Sequence, residues 1–417
     1  MKRRFVGGVA LGASALLALT ACGSSGASGS SSGTTTLTMV VPDYGTGPAN
    51  TTAKYWNTII SAFEKANPKI KVKYQIYNWN DIDSKVQTML QNKQYPDLIE
   101  GEAPLEFAQD GIAYPASQVL DSTTYANMLK PFMTAGSYKG TAYGMPCTTS
   151  ARAFFYNKQL FAQAGISGPP TTWAQLQTDA AKIHQKTGKI GFGLPLGSEE
   201  AEAESLLWFL GNGGGYQNSS GQYDINSPQN IQTFQFLNNL VKAGDTEPGP
   251  GSKDRTPLWE QFAQGQIGMI NGSPALLPII QAGGKLTSAD YAATAIPGKT
   301  GPLSSTLAVC DSFVALNTQK HGAQIKAFLD FVYQDKYQLQ FDKEYDLLPA
   351  TTSAVSALSS DATFAPFLAK LPTGTIYPAT ANWQQVNDMI KTTMGTAIGG
   401  NPAQVLGAIQ QKATSGS

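Results

Sequence analysis

Residues 36–100 switch back and forth between two periodicities, and that alternation restricts the chain to a small set of folds. Thr36-Leu37-Thr38-Met39-Val40-Val41 is a short β run that ends in the loop Pro42-Asp43-Tyr44-Gly45. Tyr55, Ile59, Ile60 and Phe63 then recur at helical spacing until Asn67-Pro68 stops the helix. Ile70 to Tyr77 alternates as a second strand, a helix carrying Ile82, Val86, Met89 and Leu90 follows, and Pro96-Asp97-Leu98-Ile99-Glu100 is a third, very short strand. The order β-α-β-α-β is that of a parallel, doubly wound sheet. Ligands of such sheets bind beyond the carboxyl ends of the strands. Here those ends are Asp43-Tyr44, Trp79-Asn80-Asp81 and Glu100-Gly101-Glu102.

A length of 417 residues exceeds one ordinary core and suggests two α/β lobes, and 41% hydrophobic residues suffice to bury both. The dense stretch at residues 138–176 marks the passage between them. Gly140 and Gly144 flank a hairpin-like segment, and Pro146 starts an extended run into the buried strand Ala153-Phe154-Phe155-Tyr156. Asn157 sits where a helix cap belongs, Gly165 ends that helix, and Thr171-Thr172-Trp173 opens the next after Pro169-Pro170. Further on, strands are expected at Lys189 to Leu194, Ile267 to Ile270 and Thr306 to Leu316, the last crossing back to the first lobe; the final third is mostly helical.

The N-terminus is the most specific local signal. Lys2, Arg3 and Arg4 precede an apolar run from Phe5 to Leu19, too short for a transmembrane helix, which needs about 20 apolar residues. Leu19-Thr20-Ala21-Cys22 resembles the lipobox of bacterial lipoproteins, which implies lipidation at Cys22 and removal of what precedes it. Residues 23–36 are almost only Gly, Ser, Ala and Thr and read as a flexible tether. Removing Lys2, Arg3 and Arg4 from 29 basic residues, set against 29 acidic ones, leaves a net charge of −3. Such a balance does not point to nucleic acid. Cys147 and Cys310 remain, either as a disulfide or as two buried thiols.

Several strings in register then resemble one family, the carbohydrate-type extracellular solute-binding lipoproteins of ABC transporters, of which maltose-binding proteins are the best known. They are Tyr95-Pro96-Asp97-Leu98-Ile99, Tyr138-Lys139-Gly140 with Tyr143-Gly144-Met145-Pro146, Phe155-Tyr156-Asn157-Lys158 with Leu160-Phe161 and Gly165, Pro169-Pro170-Thr171-Thr172-Trp173, Phe262 with Gly265 and Gly268-Met269-Ile270, and Asn382-Trp383. The resemblance implies an α/β fold of two Rossmann-like lobes joined by hinge strands (periplasmic-binding-protein type II) that closes on its ligand. It divides the chain into a signal peptide at 1–22, the tether at 23–36, lobe 1 at 37–148, lobe 2 at 149–306, a return to lobe 1 at 307–350, and C-terminal helices near the cleft and lobe 2 at 351–417. It places residues 148–153 and 306–311 on adjacent hinge strands, which would bring Cys147 and Cys310 within disulfide reach. It further implies a carbohydrate ligand, a membrane permease as partner, a lipid anchor on the extracellular face, a monomer, and no cofactor, metal or enzymatic activity.

A sugar has polar edges and apolar C–H faces, so its site needs planar hydrogen-bonding groups beside aromatic platforms. The strand ends supply Asp43, Tyr44, Trp79, Asn80, Asp81, Glu100 and Glu102. Asp43 and Asp81 could equally be helix caps. Trp383 is the stacking tryptophan that the resemblance implies. Arg152 interrupts an apolar strand and either reaches the ligand or pairs with Asp311; Glu199 and Ser273 follow strand ends of the second lobe. The two histidines, His184 and His321, read as solvent-facing helical residues without a nucleophile elbow. A glycoside hydrolase would need two carboxylates about 5–9.5 Å apart, with Glu100 and Glu199 as the pair, and the βα count speaks against it. A binding protein for another polar solute, such as a peptide, iron or a phosphorylated polyol, is the other alternative; the few basic residues at the strand ends disfavour an anion.

Where maltodextrin binders carry tryptophan, this chain has Gly101 and Ser273-Pro274, which favours a smaller or more polar sugar than stacked glucan. Calorimetry with maltotriose and longer maltodextrins is expected to show no tight binding; tight binding would contradict that expectation.

Overall fold

The computed structural model describes residues 33–45, 47–48, 50–79, 81–101, 105–283, 285–380 and 382–415. Cys22 and its lipobox, most of the tether, Asn80 and Glu102 lie outside these residues. The strands are β1 (Thr35–Pro42), β2 (Ile70–Tyr77), β3 (Leu98–Gly101), β4 (Ser137–Tyr138), β5 (Thr141–Ala142), β6 (Met145–Ala151), β7 (Ala153–Asn157), β8 (Ile190–Gly193), β9 (Ile267–Gly272), β10 (Tyr291–Thr294) and β11 (Ala308–Ala315). Eighteen α-helices accompany them among the described residues, and none of the helices is long and apolar enough to cross a membrane.

Two sheets organise the two lobes. The first has the order β2-β1-β3-β11-β6, with β1 parallel to β2 and β3, as the sequence periodicity predicts, and β11 antiparallel to β3 and β6. The second has the order β10-β7-β9-β8, in which only β8 and β9 run parallel. One residue, Arg152, separates the end of β6 in the first sheet from the start of β7 in the second. The returning chain braces the same point: Arg152 N–H donates to Leu307 O at 3.2 Å, and Thr306 Oγ1 donates to Arg152 O at 2.9 Å. A short extended link in a sheet, flanked by a second chain, is a natural hinge.

Local chemistry fixes the elements after the crossing. Asn157 Oδ1 accepts from the N–H groups of Gln159 and Leu160 at 2.9 and 3.1 Å, and Gly165 closes the helix Lys158–Ala164 at φ 68°. Thr172 and Gln175 form a capping box at the start of the helix Trp173–Thr187. His321 departs from its solvent-facing reading: it precedes the helix Gly322–Val332, and its Nδ1 lies 2.8 Å from Asp97 Oδ1.

The first lobe's core joins Leu37, Met39, Trp56, Phe63, Phe313 and Phe328. The second lobe's core joins Phe154, Phe192, Trp208, Phe234 and Met269 with Val386, Ile390, Leu406 and Ile409 of the C-terminal helices. A third cluster lies at the crossing, where Phe132 and Ala151 meet Phe155, Phe262 and Phe367. The C-terminal helices thus fold onto the second lobe and carry their N-terminal residues to the cleft.

Their docking depends on two glycines. A Cβ on Gly395 would overlap the carbonyl oxygen of Gly251, and a Cβ on Gly251 would overlap that of Gly395. Backbone meets backbone here, so neither side can yield by a rotamer change. Gly395→Ala is expected to destabilise the protein by about 1–3 kcal/mol, the usual cost of overpacking, measured as a lower urea midpoint with an unchanged slope; an unchanged midpoint would refute this.

Candidate ligand cleft

Two adjoining chambers open where β11, β3 and the C-terminal helices meet. The first has a volume of about 130 Å³ and is lined by Ala308 to Cys310 and Ser312 of the hinge strand, by Phe132, and by Ile376 to Thr380 with Trp383. The second, about 270 Å³, lies between the helix Ile82–Gln91 and β3 and is lined by Asp83, Gln87, Glu100, Gly101, Phe107 and neighbours. Glu106 and Gln384 line both, so the chambers are contiguous.

The first chamber has an aromatic wall. Trp383 stacks on Tyr377 with centroids 5.3 Å apart and planes 26° from parallel, and Tyr216 backs it at 5.5 Å. Trp383 is held because it begins the helix Trp383–Thr393, whose residues Val386 and Ile390 are sunk in the second lobe's core. The residue before it is locked as well: Asn382 Nδ2 donates to Ala413 O at 2.8 Å, and Tyr223 Oη donates to Asn382 Oδ1 at 3.2 Å. A flat apolar ring on a rigid support beside polar atoms suits the C–H face of a sugar.

Glu100 forms the polar floor of the second chamber. Its side chain is 1% exposed. Tyr44 Oη donates to Glu100 Oε1 at 2.7 Å and lies 2.8 Å from Asp311 Oδ2, while Cys147 Sγ lies 3.3 Å from Glu100 Oε1 and donates to Asp311 O at 3.0 Å. The single phenolic proton can be donated to only one of the two carboxylates at a time. Burial pushes the Glu100 carboxyl up to about 7, against the opposing pull of the Tyr44 and Cys147 hydrogen bonds. Burial also raises Tyr44, with Asp311 and Glu100 adding to it. Glu100 Oε2 has no hydrogen-bond partner in the protein.

Of the residues singled out from sequence, Glu100 and Trp383 line the chambers. Tyr44 and Asp311 stand behind Glu100. Trp79 packs edge-on to Tyr44 at 5.5 Å and is 37% exposed. Asp43 turns inward as a turn and helix-start acceptor, taking bonds from Gly45 N–H at 3.0 Å and Thr52 Oγ1 at 2.7 Å. Asp81 accepts from Asn78 Nδ2 at 2.7 Å and makes no cap bond. Ser273 Oγ is buried and accepts from Ala275 N–H at 3.3 Å.

The expected pairing of Arg152 with Asp311 is not formed. Arg152 instead donates to Glu200, and Arg255 joins Glu200 at 3.2 Å and Glu199 at 2.8 Å. Burial alone would raise the Glu200 carboxyl, but Arg152 and Arg255 hold it below its ordinary value. Glu199, which also accepts from Thr256 N–H at 2.9 Å, is therefore occupied by the protein and lines neither chamber. The expected disulfide is absent too: Cys147 and Cys310 are free thiols. The register slips between Asp311 and Ser312, leaving Cys147 with no partner across β11; it packs in the first lobe's core, whereas Cys310 packs at the crossing and lines the first chamber.

Glu106, Gln384, Tyr377, Asp83 and Gln87 were not singled out from the sequence. Gln384 immediately follows Trp383, and Glu106 lies in the short helix Leu105–Gln109 just past the third strand end. Widening the third strand-end loop by one helical turn would have caught Glu106, and Gln384 is the next residue after the expected Trp383.

Two lobes with crossing strands and a cleft at their junction have the architecture of a ligand-binding protein. The model of the family "Bacterial extracellular solute-binding protein" matches residues 48–339, and the chain belongs to that family. It is 26% identical over 401 residues to the diacetylchitobiose binding protein DasA of Streptomyces coelicolor, covering 93% of this chain and 91% of that one. It is also 26% identical over 285 residues to the sn-glycerol-3-phosphate-binding periplasmic protein UgpB of Brucella melitensis, covering 63% of each. Among solved structures, the GacH receptor of Streptomyces glaucescens, crystallised unliganded and with acarbose, superposes with a TM-score of 0.77 at 21% identity, covering 92% of this chain and 99% of that one. This last likeness concerns the fold, which is of the periplasmic-binding-protein type II.

The proton on Glu100 has a measurable consequence. Its pKa is raised from 4.5 to about 7 on folding, so between those values the folded state binds the proton more strongly than the unfolded chain. The Glu100 contribution to stability is therefore full below pH 4.5 and is lost as pH rises towards 7. In Glu100→Gln that loss should disappear, narrowing the stability change between these pH values by up to ~3 kcal/mol at 1.36 kcal/mol per pKa unit. Urea titrations of both proteins at several pH values check this; parallel pH profiles would contradict it.

Proposed function

We propose that this chain is the capture component of a sugar transporter of the ABC class. It holds a sugar or short oligosaccharide in the cleft between its lobes and delivers it to a membrane permease. The observation that carries this reading is the Trp383–Tyr377 stack facing the carboxyl and amide groups of Glu106, Glu100 and Gln384 across contiguous chambers. Aromatic face and planar polar groups together match a pyranose, and DasA and GacH, whose names record saccharide-type ligands, support it. Gly101 lines the second chamber where a tryptophan would extend the stacking surface, in keeping with a small ligand.

The hinge supplies the mechanism. Sugar bound to both lobes stabilises the closed state by the difference in its affinity for the two states, and the permease recognises that state. Lipidation at Cys22 and the tether of residues 23–36 hold the monomer at the extracellular face of the membrane. Glu199 is bound by Arg255 and lines neither chamber, so it is not placed with Glu100 as a hydrolytic pair, which supports capture and release as the reading.

UgpB favours a second reading, a phosphorylated polyol. Against it, no Lys, Arg or His lines either chamber among the described residues, and a phosphate ordinarily calls for such a donor or a helix N-terminus.

Screening sugars, polyols and glycerol 3-phosphate by melting temperature should yield a saccharide that stabilises the protein, by about 2.7 kcal/mol at 100 times its Kd. Trp383→Ala should then weaken that saccharide at least tenfold, about 1.4 kcal/mol, whereas the exposed Tyr125→Ala should not. Unaltered affinity in Trp383→Ala, or stabilisation by glycerol 3-phosphate alone, would overturn the reading.

A further inference from the structure

The second chamber is lined by three carboxylates, Asp83, Glu100 and Glu106, and by the amides of Gln87 and Gln384, with no cationic side chain among its lining residues. Its remaining walls include Ile82, Val86, Ile99, Phe107 and Val314. An apolar wall weakens solvent screening and strengthens whatever charge interaction occurs within. The donors already present are neutral and few: Gln87 Nε2 donates to Glu106 Oε2 at 3.2 Å. From the facing helix, Asp388 adds a fourth carboxylate, accepting from Gln384 Nε2 at 3.0 Å and repelling Asp83. Closure therefore brings acid towards acid.

An acidic cluster alone would be only a solvated surface. Here a second observation points to a ligand. Glu100 is 1% exposed, lines the chamber, and leaves Oε2 without a partner in the protein. A buried carboxyl oxygen without a donor is costly, and a ligand that supplies the donor recovers that cost. A sugar hydroxyl could satisfy this one oxygen but would bring no charge to set against Asp83, Glu106 and Asp388. An ammonium brings three donors and a positive charge into the same space. An anionic solute would meet only repulsion.

Resting on the sugar-binding reading above, we propose that this chamber selects an amine-bearing sugar, its protonated amino group donating to Glu100 Oε2 between Asp83 and Glu106. The ring then lies towards Trp383 through the opening shared at Glu106 and Gln384. The cation also removes the acid-on-acid repulsion that opposes closure, so charge recognition and hinge movement become one event. Glu100, partly protonated in the empty chamber near neutral pH, gives up that proton when the ammonium arrives, and a fraction of a proton is released to solvent per ligand bound.

Calorimetry on the intact protein with three disaccharides of one skeleton tests this: the β1,4 dimer of glucosamine, its N-acetylated form, and cellobiose. The measurements are made at pH 6.5 in two buffers of different ionisation enthalpy. The glucosamine dimer should bind at least tenfold more tightly than either of the others and should alone release protons. In Asp83→Asn, at an exposed position where folding is not at stake, the preference for the glucosamine dimer over cellobiose should shrink severalfold. Equal or tighter binding of cellobiose or the N-acetylated dimer would overturn the amine site and leave the sugar reading standing. Binding of glycerol 3-phosphate with none of the three disaccharides would overturn both.

Discussion

The antiparallel pairing of β6 with β11 determines the geometry of everything else. Both strands belong to the first sheet, and β6 runs into the second lobe through Arg152 alone, while Leu307 and Thr306, just ahead of β11, grip that residue's backbone. A closing motion must therefore bend a short piece of extended chain that is held on two sides. The first chamber opens directly on β11, so a ligand there touches the part of the molecule that has to move.

Charge is used differently on the two sides of this crossing. On the second-lobe side, Arg152, Glu200, Arg255 and Glu199 form a linear chain of alternating charges, in which each half-buried carboxylate has a guanidinium. Such a network resists removal of any member, because the partner left behind would be buried and uncompensated. On the first-lobe side, Tyr44 Oη lies within hydrogen-bond distance of both Glu100 and Asp311, and burial raises the Glu100 carboxyl to about 7. The first network is structural cement; the second holds the buried Glu100 Oε2, for which the proposed ligand would supply the donor.

Elements governed by neighbouring residues were readable from the sequence. The Asn157 cap, the left-handed Gly165, the Thr172 capping box and the parallel β1–β2–β3 order all follow from spacing and side-chain chemistry within a few positions. Trp383 was expected from the family resemblance alone, and it lines the first chamber. Partner choice across long sequence distances was not readable. Arg152 selects Glu200 rather than Asp311 because the loop after β8 folds over the crossing, which no local pattern encodes. Cys147 and Cys310 sit on adjacent strands as expected, yet a register slip at Asp311 separates their environments. Tyr377 belongs to the segment just ahead of the helix Trp383–Thr393, which reaches the cleft because the C-terminal helices pack on the second lobe.

The account stands on a sugar held between the aromatic wall and the acidic floor of one continuous cleft. The most direct measurement is a crystal structure of the protein with the saccharide that stabilises it. It should show a ring stacked on Trp383, a ligand donor within hydrogen-bond distance of Glu100 Oε2, and the chambers closed around both. A ligand bound elsewhere, or bound in the cleft with Trp383 bare and Glu100 Oε2 still unpaired, would contradict it.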